Sequence, residues 1–413
     1  MLFEDLPLSQ NIQQGISEIG HTTPTPIQEK VIPEILRRND VIACAQTGTG
    51  KTGAFAIPLL QLLNKRVEDD KIKSTLSVLI ISPTRELALQ ISENIKDYSK
   101  FTNIKSGVVF GGASMQPQIN LLKEGLHILV ATPGRLLDLR KQGYINLEEV
   151  EVLVLDEADL MLDMGFIDEV QKIIRLAPNL VQRLMFSATI PPKVQDLAKS
   201  LLQNPEKIEL TTNSSAAPSI EQKLYLVPKQ DKVELLLYVM RNVVKNKSVL
   251  IFRRTKFGVE KALQSLVKNG FKADDLHGDK SQTDRTAALE RFKSKEVNIL
   301  VATDLAARGL DIDSLDFVLN FDIPSMPETY VHRIGRTGRA GSVGASISFC
   351  SADEKKYIQF IETLIGNKIP VETENPYPLE KNAEPVVHKK QGSKHKKGRK
   401  GSGSKANKKR WYK

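Results

Sequence analysis

The sequence has only two cysteines among 413 residues, Cys44 and Cys350, far apart and each beside or within an apolar stretch. That excludes a disulfide framework, and both read as small buried hydrophobes in a reducing compartment. No apolar run approaches the ~20 residues needed to span a bilayer. The opening segment MLFEDLPLSQ carries two acids and no basic residue, which argues against a secretory leader. These absences lead to the expectation of a cytoplasmic protein. With 40% hydrophobic and 26% charged residues the composition is globular, and the length fits two domains better than one.

Excess positive charge is also missing from most of the chain. The formal net charge is +10, yet residues 381–413 hold 13 Lys/Arg and one acid, Glu384, a net +12 that leaves residues 1–380 at about −2. This Lys-, Gly- and Ser-rich tail has almost no aliphatic residues to offset its ordering entropy, so disorder is expected. It reads as a polyelectrolyte arm for nucleic acid with salt-sensitive affinity. A solubilising tail is the plainer alternative. Trp411 and Tyr412 could stack on bases.

Short apolar runs alternate with longer amphipathic stretches. Strands are expected at 41–45, 78–82, 128–131, 152–155 and 184–187, and in a second series at 224–227, 249–252, 299–302, 317–320 and 345–349. Helical patterns fill the gaps, as at 27–36, 86–98 and 232–244. Near-continuous apolar strands alternating with helices imply an α/β fold of parallel sheets covered on both faces. The polar, Pro-containing stretch 211–219 reads as a linker between two doubly wound domains, 1–210 and 220–370, followed by a tail over 371–413.

After the first expected strand comes Ala45-Gln46-Thr47-Gly48-Thr49-Gly50-Lys51-Thr52, a P-loop that departs from the general pattern only in Ala45. Its glycines let backbone amides wrap phosphate oxygens, Lys51 neutralises β/γ-phosphate charge and the Thr52 hydroxyl suits Mg²⁺. Asp156-Glu157-Ala158-Asp159 follows the apolar run 152–155, so a buried strand ends in three carboxylates. Asp156 is a candidate for holding Mg²⁺ and Glu157 for the general base. An isolated acidic quartet would be a solvated helix start; after a buried strand and downstream of a P-loop it points to Mg²⁺-dependent NTP hydrolysis. There is no second P-loop, so the second half is not expected to bind nucleotide by itself.

The P-loop, the acidic quartet, Ser187-Ala188-Thr189 and His332-Arg333-Ile334-Gly335-Arg336-Thr337-Gly338-Arg339 occur in the order of the DEAD-box RNA helicases, and the chain resembles that family over nearly all of residues 1–370. The resemblance implies two tandem RecA-like domains, ATP and Mg²⁺ as cofactors, and RNA as partner. Gln28, within residues 20–28, matches the family's adenine-reading segment, and Phe3 its upstream base-stacking aromatic; Gln46, Thr47, Gly48, Thr49, Gly50, Lys51 and Thr52 cradle the phosphates. His21 departs from the Phe or Tyr common there. RNA contacts are implied for Thr84, Arg85, Gly112, Thr132 and Arg135 in the first half, and for Gly278, Gln282, Arg285 and Thr303 in the second. Turns and helix caps are the plainer reading of the first set. Ser187 and Thr189, with His332 and Arg333, match coupling positions. Arg336 and Arg339 resemble arginine fingers, and Asp311 a residue near the ATP ribose; Arg308 shares its motif.

The mechanism implied is closure of both domains on ATP and RNA, with local unwinding of short duplexes or remodelling of RNA–protein complexes and largely sequence-independent contacts. An ATP-gated RNA clamp and a DNA helicase or translocase of the same superfamily are the alternatives. Within the family the compact chain and basic tail resemble bacterial RhlE-type members. A monomer acting on ribosomal precursors or with RNA-decay proteins is compatible with this reading.

Overall fold

Four-residue apolar runs with no polar interruption can be buried on both faces only in the middle of a covered parallel sheet, and that is where they lie. The computed structural model describes residues 1–45, 48–68, 75–210, 220–307, 315–338 and 344–380. The first sheet contains β1 (Val41–Cys44), β2 (Val78–Ile81), β3 (Ser106–Val109), β4 (Ile128–Ala131), β5 (Val152–Leu155), β6 (Gln182–Ser187) and β7 (Glu206–Glu209), in the order β3-β4-β2-β5-β6-β1-β7. The second contains β8 (Ile220–Leu226), β9 (Val249–Arg253), β10 (Ala273–Leu276), β11 (Ile299–Thr303), β12 (Phe317–Asn320) and β13 (Gly344–Cys350), in the order β10-β11-β9-β12-β13-β8. Neighbours in both sheets are parallel. The second order repeats the first six strands, with β8 standing where β1 stands. The linker expected at 211–219 lies outside the described residues.

The alternation of side chains builds a core on each face. Val78, Ile80, Val130 and Val154 pack into one cluster, while Leu79, Ile81, Leu129 and Leu155 pack into the other. Each fully buried aliphatic side chain contributes about 1.5–3 kcal/mol relative to exposure. Among the described residues no helix is long and apolar enough to cross a membrane.

Three strands were not legible as apolar runs. β7 is an exposed edge of sequence EKIE beside β1. β3 reads SGVV, with Gly107 so close to Leu121 that an added Cβ would lie 2.8 Å from its Cδ2. β10 buries Asp274 and Asp275, which are tolerated because Arg291 pairs with Asp274 (Nε to Oδ2 2.9 Å) and Lys280 with Asp275. Residues 371–380, assigned to the tail in the sequence, run beside β8. β8 is an edge strand whose free backbone groups accept a companion: Glu372 N donates to Leu224 O (2.8 Å) and Leu379 N to Leu226 O (2.9 Å). Residues 381–413, Trp411 and Tyr412 included, lie outside the described residues.

His127, at the start of β4, makes one pH-dependent fastening. Its Nδ1 accepts from Lys105 N (2.9 Å), so the neutral ring is required. Burial, with Lys105 adding to it, holds the imidazole below its ordinary value of 6.5. A lowered histidine stabilises the fold above its unfolded value and loses that contribution as pH falls through the window below about 6.5. His127→Asn, which offers a non-titrating acceptor near the Nδ1 position, is expected to flatten the loss of stability between pH ~7.5 and ~5.5 in urea melts. An unchanged slope would contradict this.

Candidate nucleotide and nucleic-acid clefts

β6 separates β5 from β1, so three segments far apart in sequence meet at adjacent carboxyl ends: 48–52 after β1, 156–159 after β5, and 187–189 at the end of β6. Ligands in open parallel sheets bind at such ends. Gly48 (φ +82°) and Gly50 (φ +92°) take the left-handed backbone the loop needs. Lys51 opens the helix Lys51–Glu68, and its Nζ lies 2.6 Å from Glu157 Oε1, with both side chains buried. Burial would lower the Lys51 ammonium, but Glu157, Asp156 and Asp159 outweigh it and hold it above its ordinary value. Asp156 feels burial first and then repulsion from Glu157, and its carboxyl is pushed up to about 7. Its Oδ1 is buried with no hydrogen-bond partner. Glu157 holds a left-handed conformation (φ +54°, ψ +57°) at the head of the helix Ala158–Asp163, a strained geometry for a residue with a side chain.

The last carboxylate of the quartet ties this corner together. Asp159 Oδ2 accepts from both Thr189 N and Thr189 Oγ1 at 2.9 Å, while Asp159 N donates to Ser187 Oγ (3.2 Å) and Ser187 Oγ donates to Thr189 O (2.6 Å). Ser187 and Thr189 are thus joined to the acidic segment through Asp159.

A cleft of about 580 Å³ is lined by Gln28, Gly48, Gly50, Lys51, Thr52, Asp156 and Glu157, with Arg336 from the second domain. Gln28 is engaged at both ends: Oε1 accepts from Thr25 N (2.9 Å) and Nε2 donates to Gly50 O (3.1 Å). One N–H and one oxygen lone pair of the carboxamide remain beyond these two bonds. Phe3 does not line the cleft. It is 4% exposed, packed in the first-domain core, with its N donating to Thr22 O (3.1 Å). His21 lines the cleft instead, its ring centroid 6.2 Å from that of Tyr98. Sequence reasoning missed Gln90, Asn94 and Tyr98, which line it from the helix Arg85–Tyr98; their i, i+4, i+8 spacing was the available signal.

A second cleft of about 500 Å³ runs between the domains, lined by Thr84, Arg85, Thr132 and Arg135 on one side and Gly278, Arg285 and Leu305 on the other. The capping reading holds for Thr84, whose Oγ1 accepts from Leu87 N (3.3 Å). Thr132 Oγ1 accepts from Gly111 N (3.3 Å), and Arg135 donates through Nη2 to Ala113 O (3.0 Å) while its buried Nη1 has no partner. Gly112 (φ +77°) lets Arg85 cross its backbone: an added Cβ would sit 2.1 Å from the Arg85 Nη2.

Two of the arginines expected to meet phosphates already bridge the domains. Arg285 reaches Glu86 Oε1 through Nη2 (2.6 Å) and Nε (2.8 Å), and Arg85 Nη1 donates to Gln282 Oε1 (3.4 Å). Glu86 was not singled out in the sequence; a pair 199 residues apart leaves no local signal. Thr303 Oγ1 accepts from Ala306 N (3.4 Å), a local cap. Arg333 is buried: Nη2 and Oδ2 of Asp304 are 2.7 Å apart, and Nη1 donates to Asn320 Oδ1 (3.1 Å) and Asp322 O (2.7 Å). It joins the end of β11 to the helix Pro327–Ile334, on which His332 is half-buried, and Arg336 follows in the next turn. Gln46, Thr47, Arg308, Asp311 and Arg339 lie outside the described residues.

A family model for the DEAD/DEAH box helicases matches residues 25–197, and one for the helicase conserved C-terminal domain matches 231–341. The chain is 41% identical over 367 residues to the DEAD-box ATP-dependent RNA helicase RhpA of Helicobacter pylori, covering 89% of this chain and 73% of that protein. It is 40% identical to the DEAD-box ATP-dependent RNA helicase CshA of Geobacillus kaustophilus, over 89% and 77%. These relatives carry names other than RhlE. A structure of S. cerevisiae Dbp5 bound to RNA and ADP BeF3 has a TM-score of 0.77 at 29% identity, over 89% of this chain and 95% of that one. Mss116p bound to ssRNA and AMP-PNP has a TM-score of 0.78 at 31% identity, over 90% and 78%. With family models matching residues 25–197 and 231–341, and relatives at 40–41% identity spanned over 73–77% of their length, the chain belongs to the DEAD-box ATP-dependent RNA helicases, a family of RNA-stimulated ATPases.

Proposed function

We propose that this chain binds ATP in the first cleft, lays an RNA strand across the second, and hydrolyses ATP when the domains are closed on both, locally parting short RNA duplexes or remodelling RNA–protein complexes. The observation that carries the reading is Arg336, which comes from the second domain yet lines the same cleft as Lys51, Asp156 and Glu157. A guanidinium there stabilises the charge that spreads over the departing γ-phosphoryl group. Arg339 shares this role on the strength of its motif. The similarity to RNA- and nucleotide-bound neighbours over about nine-tenths of the chain supports the closed arrangement.

The buried ion pair suggests the order of events. In this structure Glu157 neutralises Lys51. When the β/γ-phosphates take Lys51, Glu157 loses its partner and becomes the base that accepts a proton from the attacking water. Phosphate oxygens receive amide donors from residues 46–52, and Gln28 offers adenine its second N–H and second oxygen lone pair. A divalent cation fits beside them: the donors are an orphaned carboxylate oxygen of Asp156 and the Thr52 hydroxyl, oxygen ligands that suit Mg²⁺. When bound, Mg²⁺ supplies charge neutralisation on the β- and γ-phosphate oxygens.

On the RNA side Thr84, Arg85, Thr132 and Arg135 line the second cleft with Gly278 and Arg285, and Gln282 bonds Arg85 across it; these, with Gly112 and Thr303, are suited to backbone oxygens and 2′-hydroxyls. An incoming phosphate competes for Arg285 with Glu86. Asp304 beside Thr303 passes the RNA state through Arg333 to the segment bearing Arg336, while Asp159 links Ser187 and Thr189 to the catalytic acids.

Steady-state ATP turnover with and without single-stranded RNA tests the reading. Stimulation by RNA that DNA cannot replace is expected; equal turnover without RNA, or equal stimulation by DNA, overturns it. Gly112→Ala gives a more local check. The new Cβ displaces the Arg85 guanidinium and strains a left-handed backbone, so the RNA concentration giving half-maximal stimulation is expected to rise several-fold. An unchanged value would remove Arg85 from the RNA contact.

A further inference from the structure

Phe257 is 70% exposed, and Leu305 is 51% exposed at the neighbouring strand end. The exposure of Phe257 is built into the helix Lys256–Lys268, not produced by fraying. Val259, Ala262 and Leu266 form the buried face, and Phe257 shares the opposite face with exposed Lys261 and Gln264. The first turn is locked: Thr255 Oγ1 accepts from Gly258 N (3.1 Å), and a Cβ on Gly258 would lie 2.8 Å from Arg253 Nη2. Arg253 in turn stacks on Phe321, 3.7 Å from the ring centroid.

Its position matters as much as its exposure. The strands run β10-β11-β9, so Gly278, Leu305 and Phe257 occupy three adjacent carboxyl ends. Gly278 and Leu305 line the inter-domain cleft. Lys256 pairs with Asp279, next to Gly278, and its ammonium lies 5.3 Å from the Phe257 ring centroid. Lys256 is thus the cation that sits over the ring. A flat exposed ring with one ammonium over it, at a strand end next to those lining the inter-domain cleft, suits a nucleobase attached to a polyanion.

We propose that Phe257 is a base-stacking platform for one nucleotide of the bound strand, flanked by Leu305. This subsite adds to the backbone contacts and rests on the RNA-binding reading above. Stacking is available to every base, with the larger purines gaining most, so it modulates affinity at one position without imposing a sequence.

The test is binding of labelled single-stranded RNA by anisotropy, in the presence of Mg²⁺ and AMP-PNP, with an abasic nucleotide moved stepwise along the oligomer. The parent protein is expected to lose about ten-fold in affinity at one abasic position. Phe257→Ala should lose about as much on intact RNA and become indifferent to that abasic position, while Phe257→Tyr and Phe257→Trp keep affinity and Phe257→Leu does not. Thermal melting coincident with the parent shows that the variant is folded. Parental affinity in Phe257→Ala, or an equal loss on intact and abasic RNA, overturns the stacking platform alone. If the parent itself fails to bind RNA, the RNA-binding reading and this inference fall together.

Discussion

Arg336→Ala is expected to lower RNA-stimulated ATP turnover by about 10³–10⁵-fold, the contribution of an arginine finger to phosphoryl transfer. The reason is positional. Domain 1 carries Lys51 to meet phosphate charge in the ground state, whereas Arg336 reaches the same cleft only from the other domain. An interaction made in the closed transition state, and not with ATP bound to domain 1 alone, lowers kcat and leaves nucleotide affinity nearly intact when lost. Arg336→Lys should recover little, because a point charge cannot reproduce the planar fork. The fold should survive: Arg336 N donates to Arg333 O (3.2 Å) and Leu315 N donates to Arg336 O (3.3 Å), bonds that an alanine keeps. Steady-state kinetics at saturating RNA, beside binding of a fluorescent ATP analogue, check both halves. A loss of less than ten-fold, or a parallel loss of nucleotide affinity, would show that Arg336 does not act on the transferring phosphoryl group.

How far the sequence could be read depends on whether a feature is local. β2, β4 and β5 are unbroken apolar quartets whose four residues are all buried, and they are plain from composition. β10 hides two aspartates that only partners from elsewhere make tolerable, so no periodicity reveals it. The P-loop and the acidic quartet are contiguous motifs, but their meeting depends on β6 inserting between β5 and β1, a tertiary fact. Phe3 matched a spacing, yet the short helix Phe3–Asp5 turns its ring into the core and leaves His21 at the cleft. Arg333 was read as a coupling residue by its motif. Its burial was also written in the sequence, since Tyr330, Arg333 and Ile334 fall at i, i+3 and i+4 on one helix face. The Arg285–Glu86 bridge has no such trace, because it exists only between the domains.

Glu157→Gln is expected to lower ATP turnover by about 10²–10⁴-fold while nucleotide binding is kept or tightened, a combination that separates the observed role of this side chain from the proposed one. In this structure Glu157 is the counter-charge of Lys51 at 2.6 Å, both buried. If that were its whole purpose, a neutral replacement would leave Lys51 poorly compensated and damage ATP binding and turnover together. A base reading predicts otherwise. ATP has to take Lys51 away from Glu157, so the ion pair competes with the ligand; glutamine removes the competitor, and Asp156 and Asp159 remain to support the ammonium. The amide cannot accept the proton of the attacking water, so kcat falls alone. Glutamine also fits the left-handed backbone at this position no worse than glutamate does, which keeps strain out of the comparison. RNA should then be held longer in the presence of ATP, because the closed state forms and is not reset by hydrolysis. Turnover, nucleotide affinity and the ATP-dependent lifetime of the RNA complex measured on one preparation decide the matter. A KM that rises as steeply as kcat falls would make Glu157 the partner of Lys51 and leave the identity of the base open to another residue of the cleft.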